Sequence, residues 1–370
     1  MKANTNNTDN YIIVGCDLHE KNMHLTVAKN KDKPQCFCFS NDAWGRGRMV
    51  RRLKKMAGLD AQVQFAYEAS GLGFGLYDEL TQKGITSHVL APSKIKRSPK
   101  DRQTKTDKND AHNIFQVLRG HLLAGNNLPT VWVPDPELRD DRLVVRRRLD
   151  LAHKLTTAKT QVQCLLKQNS LRKPRELKST WTKIYRRWLQ AVIGSQTIGF
   201  GARTALASYL REIKHLEEEI KTLDKHIEAL AETARWAEPA RTLDAIPGVG
   251  MLTAMVVLTE IGDFTRFSNR RQIAAYIGVV PSSHESGQAS DRKGHITHRG
   301  PARIRHVLCQ AVWAAVRTDP ATKRRYKAIV ERNPKKKKIA TVALMRLLMI
   351  RMWQTVLLLP EEQRPGPSTA

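Results

Sequence analysis

The hydrophobic period changes once along this chain, near Glu137, so no single repeating architecture can account for it. Before that point apolar residues come in short β-like runs: Ile12 to Cys16, His24 to Ala28, Gln35 to Phe39, Val63 to Tyr67 and Ser87 to Ala91. A basic helical stretch, Arg46 to Ala57, separates the third run from the fourth. Three early strands with short links predict an antiparallel meander, and the strand–helix–strand order that follows predicts parallel crossovers. A mixed sheet with helices on its faces is the expected product.

Beyond Glu137 the period is that of long helices. Val144, Leu151, Leu155, Ala158, Val162 and Leu165 form one seam, interrupted by Arg148. Leu206, Tyr209, Ile213, Leu216, Ile220, Leu223, Ile227 and Leu230 form a cleaner one in alternating steps of three and four, with the Ile-at-a, Leu-at-d pairing that favours two-stranded coils. Lys173-Pro174 and the stretch from Gly194 to Gly201 break the segment into helices that could pair within the chain or across a dimer. Heptads sustained over four repeats predict a homo-oligomer, dimer or tetramer, joined by this coiled coil. From Leu243 the chain reads as helix, glycine turn (Ile246-Pro247-Gly248-Val249-Gly250) and helix. Such a turn either offers N–H groups to a phosphate or serves as a structural corner.

A length of 370 residues suggests two or three domains. The divisions expected are 1–135, an α/β metal-binding domain; 136–238, a helical coiled coil; 239–360, mainly helical; and 361–370, a flexible tail. Lys and Arg number 63 against 35 Asp and Glu, a net charge of +28 that favours a polyanionic partner, nucleic acid first. The excess is concentrated late, with 17 Lys or Arg between Arg292 and Arg351 against Asp319 and Glu331 alone. The first ten residues lack the apolar core of a signal peptide, and Arg346 and Arg351 interrupt the apolar stretch from Ile339 to Leu359, so neither secretion nor a membrane span is expected. Five scattered cysteines offer no paired metal-ligand spacing and no disulfide framework. A reducing cytoplasm fits best.

Asp17 ends one apolar run, Glu68 ends another, and Asp107 and Asp110 stand three apart at the start of a predicted helix. Strands ending side by side would bring Asp17 next to Glu68, and a helix crossing that end would add the Asp pair. Four such carboxylates repel unless cations neutralise them, and hard oxygen ligands point to Mg²⁺, two ions ~3.5–4 Å apart as in phosphoryl-transfer sites. Lys94, Lys96, Arg97, Lys100, Arg102, Lys105 and Lys108 would hold a phosphate backbone nearby. Each acid taken singly could equally be a solvated group or a helix cap.

Five motifs in order carry a resemblance. Gly15-Cys16-Asp17-Leu18-His19, Tyr67-Glu68-Ala69-Ser70-Gly71, Lys105 to Ala111, the Ile246 to Gly250 turn, and Ala274 to Pro281 with Ser286-Gly287 resemble the IS-one-ten family of insertion-sequence transposases over nearly the whole chain. The resemblance implies an N-terminal RuvC-like (RNase H-type) domain, an α/β fold whose Asp-Glu-Asp-Asp quartet falls on Asp17, Glu68, Asp107 and Asp110. It implies a coiled-coil middle and a C-terminal transposase domain with a serine nucleophile, here Ser286. Glu285 departs from the family's pattern and the stretch up to Gly294 is one residue longer, so Ser283 and Ser290 are the fallbacks. A structured noncoding guide RNA that pairs with donor and target double-stranded DNA is implied as well.

The expected activity is therefore that of an RNA-guided DNA recombinase, prokaryotic and nucleoid-associated, in which Ser286 forms a phosphoserine link that another strand's hydroxyl reverses. Arg292, Lys293, Arg299 and Arg303 are expected to hold nucleic acid beside the serine, and Lys335, Lys336, Lys337 and Lys338 further along. His284, His295 and His298 are candidate bases or phosphate contacts. Three other readings remain: a site-specific DNA invertase, a Mg-dependent junction-resolving nuclease that uses water, and a noncatalytic basic scaffold.

Overall fold

The computed structural model describes residues 10–95, 106–286 and 289–365, and divides into two compact units, 1–133 and 134–370. Within the first unit, β1 (Asn10–Leu18), β2 (Asn22–Lys29), β3 (Gln35–Ser40), β4 (Ala61–Glu68) and β5 (Thr86–Leu90) form one sheet in the order β3-β2-β1-β4-β5. Pairings among β1, β2 and β3 are antiparallel, whereas β1–β4 and β4–β5 are parallel. The mixed sheet expected from the patterning is the sheet the chain forms.

Helices α1 (Ala43–Ala57) and α2 (Gly75–Gln82) cover one face. Asp42 caps α1 by accepting from the Gly45 N–H at 2.7 Å, and Met49, Val50, Leu53 and Ala57 recur at helical spacing on its buried side. They pack with Ile12, Val14, Leu25, Val27, Phe65 and Tyr67 of the sheet. The other face receives α3 (Asp107–Ala124), whose Ile114, Phe115 and Leu118 meet Ile13, Ala28, Ala66 and Leu90. That contact is unusually close at Gly15, where a Cβ would lie 2.2 Å from the Phe115 backbone nitrogen and 2.5 Å from the Ala111 carbonyl oxygen. Glycine in β1 thus sets how near the helix can approach the strand.

The second unit is built from α4 (Pro136–Gln168), α5 (Lys183–Gly194), α6 (Phe200–Ala231), α7 (Ala237–Asp244), α8 (Met251–Ile261) and α9 (Arg270–Tyr276). After these come a hairpin of β6 (Pro281–Ser286) and β7 (Ala289–Ile296), then α10 (Ala302–Thr318), α11 (Pro320–Arg332) and α12 (Lys337–Leu357). The heptad seam pairs within the chain over most of its length. Leu206, Ile213, Leu216 and Ile220 are buried against Leu151, Ala158, Val162 and Leu166 of the same chain. Arg148–Asp224 and Lys159–Glu217 ion pairs show α4 and α6 running antiparallel. The breaks after α4 and before α6 let the chain turn back, and a tethered partner faces only a modest loop-closure cost, whereas a second chain must be recruited from solution. The far end of the seam is less covered: Leu223 and Leu230 line an open apolar depression with Val144 and Ala229.

Charge pairs tie the long helices to those that follow. Arg146 holds the buried Glu260 carboxylate of α8 in a bidentate pair, 2.7 and 2.8 Å, and Arg142 donates to the Thr259 and Glu260 carbonyls. Arg235 pairs with Asp135, and the Trp236 indole N–H donates to Asp141 at 2.7 Å. In the glycine turn, Gly248 has φ +84° and a Cβ there would strike the Ala311 carbonyl oxygen and Ala315 nitrogen of α10, so this turn is a packing corner whatever else it does. α12 is long and apolar enough to cross a membrane by length and composition, yet Ala340, Leu344, Met349, Met352 and Val356 make it a core helix of this unit. Glu361–Gln363 form one 3-10 turn of the expected tail, and 366–370 lie outside the described residues.

Candidate active site

β1 and β4 are parallel neighbours with Cys16 opposite Tyr67, so Asp17 and Glu68 follow as adjacent strand ends. α3 begins at that same end. Thr106 caps it by accepting from the Asn109 N–H at 3.3 Å, and its first turn carries Asp107 and Asp110, where the helix dipole favours negative charge. Because Gly15 lets α3 lie directly on β1, the helix start sits beside Asp17: donor atoms of Asp17, His19 and Asp107 all fall within 4.8 Å of one another. Asp110 is buried, while half of the Asp107 side chain is exposed.

Two imidazoles complete this cluster. His19 Nε2 lies 3.1 Å from Asp17 Oδ2 and 3.4 Å from Asp107 Oδ1, and His24 Nε2 lies 3.3 Å from Asp107 Oδ2. Neither histidine was assigned a role from sequence. The hairpin register carried the missing information, since His24 stands opposite Asp17 in the β1–β2 ladder and His19 follows Asp17 by two. The Asp17 carboxyl is held above its ordinary pKa, first by burial and further by Asp110 and Asp107, with His19 opposing. Carboxylate oxygens gathered this closely, with an imidazole at bonding distance to two of them, suit a divalent cation with oxygen ligands. The residues present fit such an ion.

The candidate serine lies in the second unit. β6 and β7 pair with Ser283 opposite Lys293, His284 opposite Arg292 and Ser286 opposite Ala289, so Ser286 ends its strand at the closing side of the hairpin. The side chains of residues 283–293 lie outside the described ones, as do Gly287 and Gln288 entirely, which leaves Ser283, Ser286, Ser290, His284, Arg292 and Lys293 as sequence expectations. The last third is mainly helical, as expected, and the hairpin is an addition to it that the sequence did not announce. Arg305, which sequence reasoning missed, fastens the hairpin's base: its Nη1 donates to the carbonyls of Ile277, Arg299 and Gly300 at 3.1, 2.8 and 3.3 Å, and burial lowers its pKa. Gly278 and Gly300, both with positive φ, pass so close to Arg299 and Tyr276 backbone that neither tolerates a Cβ.

The expected nucleic-acid contacts divide similarly. Lys94 is exposed on a 3-10 turn, and Lys96, Arg97, Lys100, Arg102 and Lys105 lie outside the described residues. Arg299 is exposed, whereas Arg303 spends part of its charge on Asp150 at 3.3 Å. Lys335 to Lys338 are all exposed where α12 begins, and four cations at the positive end of a helix dipole repel unless an anion joins them.

Two family models match this chain. Residues 14–170 match a transposase model of the IS110 DEDD type, and 240–327 match the model described as Transposase IS116/IS110/IS902 family. A Sinorhizobium fredii protein named as a transposase, y4qE, is 30% identical over 303 residues, covering 81% of this chain and 70% of its own. The transposase for insertion sequence element IS1111A of Coxiella burnetii is 26% identical, covering 75% of this chain and 73% of its own. A shorter match, 29% identity over 40% of this chain and 48% of its own, is to the pilin gene-inverting protein of Moraxella bovis.

Proposed function

Because this chain belongs to the IS110 family of insertion-sequence transposases, enzymes that cut and rejoin DNA, we propose that it does so through a phosphoserine link made by Ser286 and with a metal-holding quartet in the first unit. The observation that carries this reading is the meeting of Asp17 and Asp107 at the sheet end where Glu68 and Asp110 also lie. Asp17, Glu68, Asp107 and Asp110 would hold Mg²⁺, two ions in the fullest form, which supplies charge to a transferring phosphoryl group. When Ser286 Oγ attacks, its bond to phosphorus forms as a strand's phosphorus–oxygen bond breaks, and the serine proton ends on the released strand hydroxyl. A hydroxyl of the new partner strand reverses the step, so no external energy source is required. His19 and His24 lie in hydrogen-bond reach of the carboxylates and would steady Asp17 and Asp107 before DNA arrives.

Under the same reading a structured noncoding RNA selects donor and target DNA by base pairing, and the protein reads backbone and shape with its +28 charge. The likeness to a pilin gene-inverting protein favours a second reading, a site-specific invertase with the same chemistry and a fixed site. Trapping on a nicked suicide DNA substrate tests the chemistry: the parent should yield a covalent adduct whose phosphoester maps to Ser286, and Ser286→Ala should yield none. An adduct on Ser283 or Ser290 would move the register, and cut DNA without any adduct would hand the chemistry to water. RNA copurified from gently isolated protein tests the guide, since one discrete species encoded beside the gene supports it and random cellular RNA supports the invertase.

A further inference from the structure

The basic stretch from Arg46 to Ala57 plays no part in the site described above, yet its outer face is organised. α1 points Met49, Val50, Leu53 and Ala57 into the core and leaves Trp44, Arg48, Arg51, Arg52, Lys54 and Lys55 on the outside. Trp44, Arg48 and Arg52 follow one another at i, i+4 spacing along that face. Beside them runs β3, the edge strand, with Phe37 and Phe39 two residues apart and therefore on one side of the sheet. Arg48 sits 3.8 Å above the Trp44 ring centre and 6.0 Å from that of Phe39, and Arg52 sits 4.1 Å above Phe37. Two guanidinium groups are thus interleaved with three aromatic rings.

Trp44 keeps 65% of its surface exposed despite the stacked arginine, an unusual position for the residue type that gains most from burial. Among the described residues, Arg46 pairs with Glu79 and Arg48 lies near the Asp42 carboxylate, but Arg51, Arg52, Lys54 and Lys55 make no ion pair. A bare polyanion surface would need the cations alone. A packing device for α1 would bury the indole. Rings held flat by arginine, one of them open to solvent, beside unpaired cations match the requirements of unpaired bases: a stacking face for the base and positive charge for the phosphates that follow it.

We propose that the outer face of α1 with the β3 edge is a platform for an unpaired stretch of a nucleic-acid strand, with a base stacked on Trp44 and its phosphates on Arg51, Arg52 and Lys55. The proposal rests on the reading of this chain as a nucleic-acid recombinase and names a contact outside its catalytic residues. An unpaired strand could come from a loop of a guide RNA or from DNA opened during exchange, and the two share this chemistry.

Fluorescence anisotropy on the full chain, with a labelled single-stranded RNA, the same sequence as single-stranded DNA, and the DNA duplex, tests it. Trp44→Ala should weaken binding to unpaired strands about five- to hundredfold, the range for losing one stacked base, and leave duplex binding unchanged. Trp44→Phe should restore most of that loss, and an unchanged melting midpoint for both variants separates stacking from folding. Stronger loss on RNA would identify an RNA loop as the occupant, and equal loss on both strands a platform that does not read the sugar. Equal weakening toward duplex and single strand would overturn the platform in favour of a plain charge patch, as would unaltered affinity for every probe. Should the parent bind duplex and Trp44→Ala change nothing, only the platform fails; should the parent bind no nucleic acid of any kind, the recombinase reading fails with it.

Discussion

Acidic side chains inside the second unit and at the sheet end of the first are held in opposite ways, although the first unit has an arginine-paired acid as well, Glu79 with Arg46. In the second, the deeply buried Glu260 is clasped by Arg146 through two short hydrogen bonds, and Asp135 and Asp224 each face an arginine as well. In the first, Asp17 and Asp107 meet each other and two imidazoles, with no guanidinium or ammonium at ion-pair distance among the described residues. Acids paired with arginine hold helices together, whereas Asp17 and Asp107 are gathered side by side, which under the proposed function leaves carboxylate oxygens for a cation. Under the proposed function this contrast separates scaffold from chemistry where burial does not, since Asp110 and Glu260 are both buried.

The contrast is tested most severely by removing one charge from each set. Asp17→Asn or Glu68→Gln should reduce DNA cleavage by more than about a hundredfold if the proposed quartet holds the metal, because each deletes a carboxylate charge from it, while fold and DNA binding persist. Cleavage at the parent's rate by both variants would break the distinction at its first term. Arg146→Met, by contrast, should cost about 3 kcal/mol in urea unfolding, since Glu260 would stay buried without its partner, and should leave cleavage per folded molecule near normal. An unfolding midpoint equal to the parent's would mean that the bidentate pair is incidental.

A smaller effect probes how α3 is delivered to the site. Gly15→Ala places a methyl against the Phe115 and Ala111 backbone, which cannot move aside as a side chain could, so α3 must lift from β1. Overpacking of this kind costs about 1–3 kcal/mol, and the displaced helix start should depress cleavage beyond what stability alone explains. Gly47→Ala on α1 is the control: its Cβ would meet only the flexible end of Arg51 at 3.8 Å, and thermal unfolding should show it neutral or slightly stabilising.

These residues also mark how far the sequence could be read. The five strands of the first unit were legible because apolar runs between turn residues leave few alternatives, and their pairing follows once the crossovers are parallel. Asp17 and Glu68 were legible for the same reason, as the residues that end two neighbouring strands. His19 and His24 were not, because their approach depends on hairpin register and on a helix docking at a glycine, neither of which leaves a local pattern. The α6 heptads left their partner open for a related cause: a period specifies an apolar face without naming what covers it, and α4 of the same chain covers most of that face. The β6–β7 hairpin escaped notice because its residues are mostly polar, with Ile296 the one large apolar side chain, so no alternation betrays two strands whose base is fixed by Arg305 from the following helix.

The smallest effect gives the contrast its sign. Asp17 has a pKa raised in the folded protein, so at any pH above that value its ionised form costs the fold something it does not cost the unfolded chain. In protein stripped of divalent cations by chelation, Asp17→Asn should therefore raise the melting temperature slightly. Arg146→Met lowers it under the same conditions. Adding Mg²⁺ should then raise the parent's melting temperature in a concentration-dependent way, because an ion that binds only the folded state stabilises it by mass action, and should raise that of Asp17→Asn less. A parent that melts at one temperature across the Mg²⁺ series, with Asp17→Asn melting lower than the parent in chelator, would place Asp17 among the scaffold acids and erase the difference between the two units.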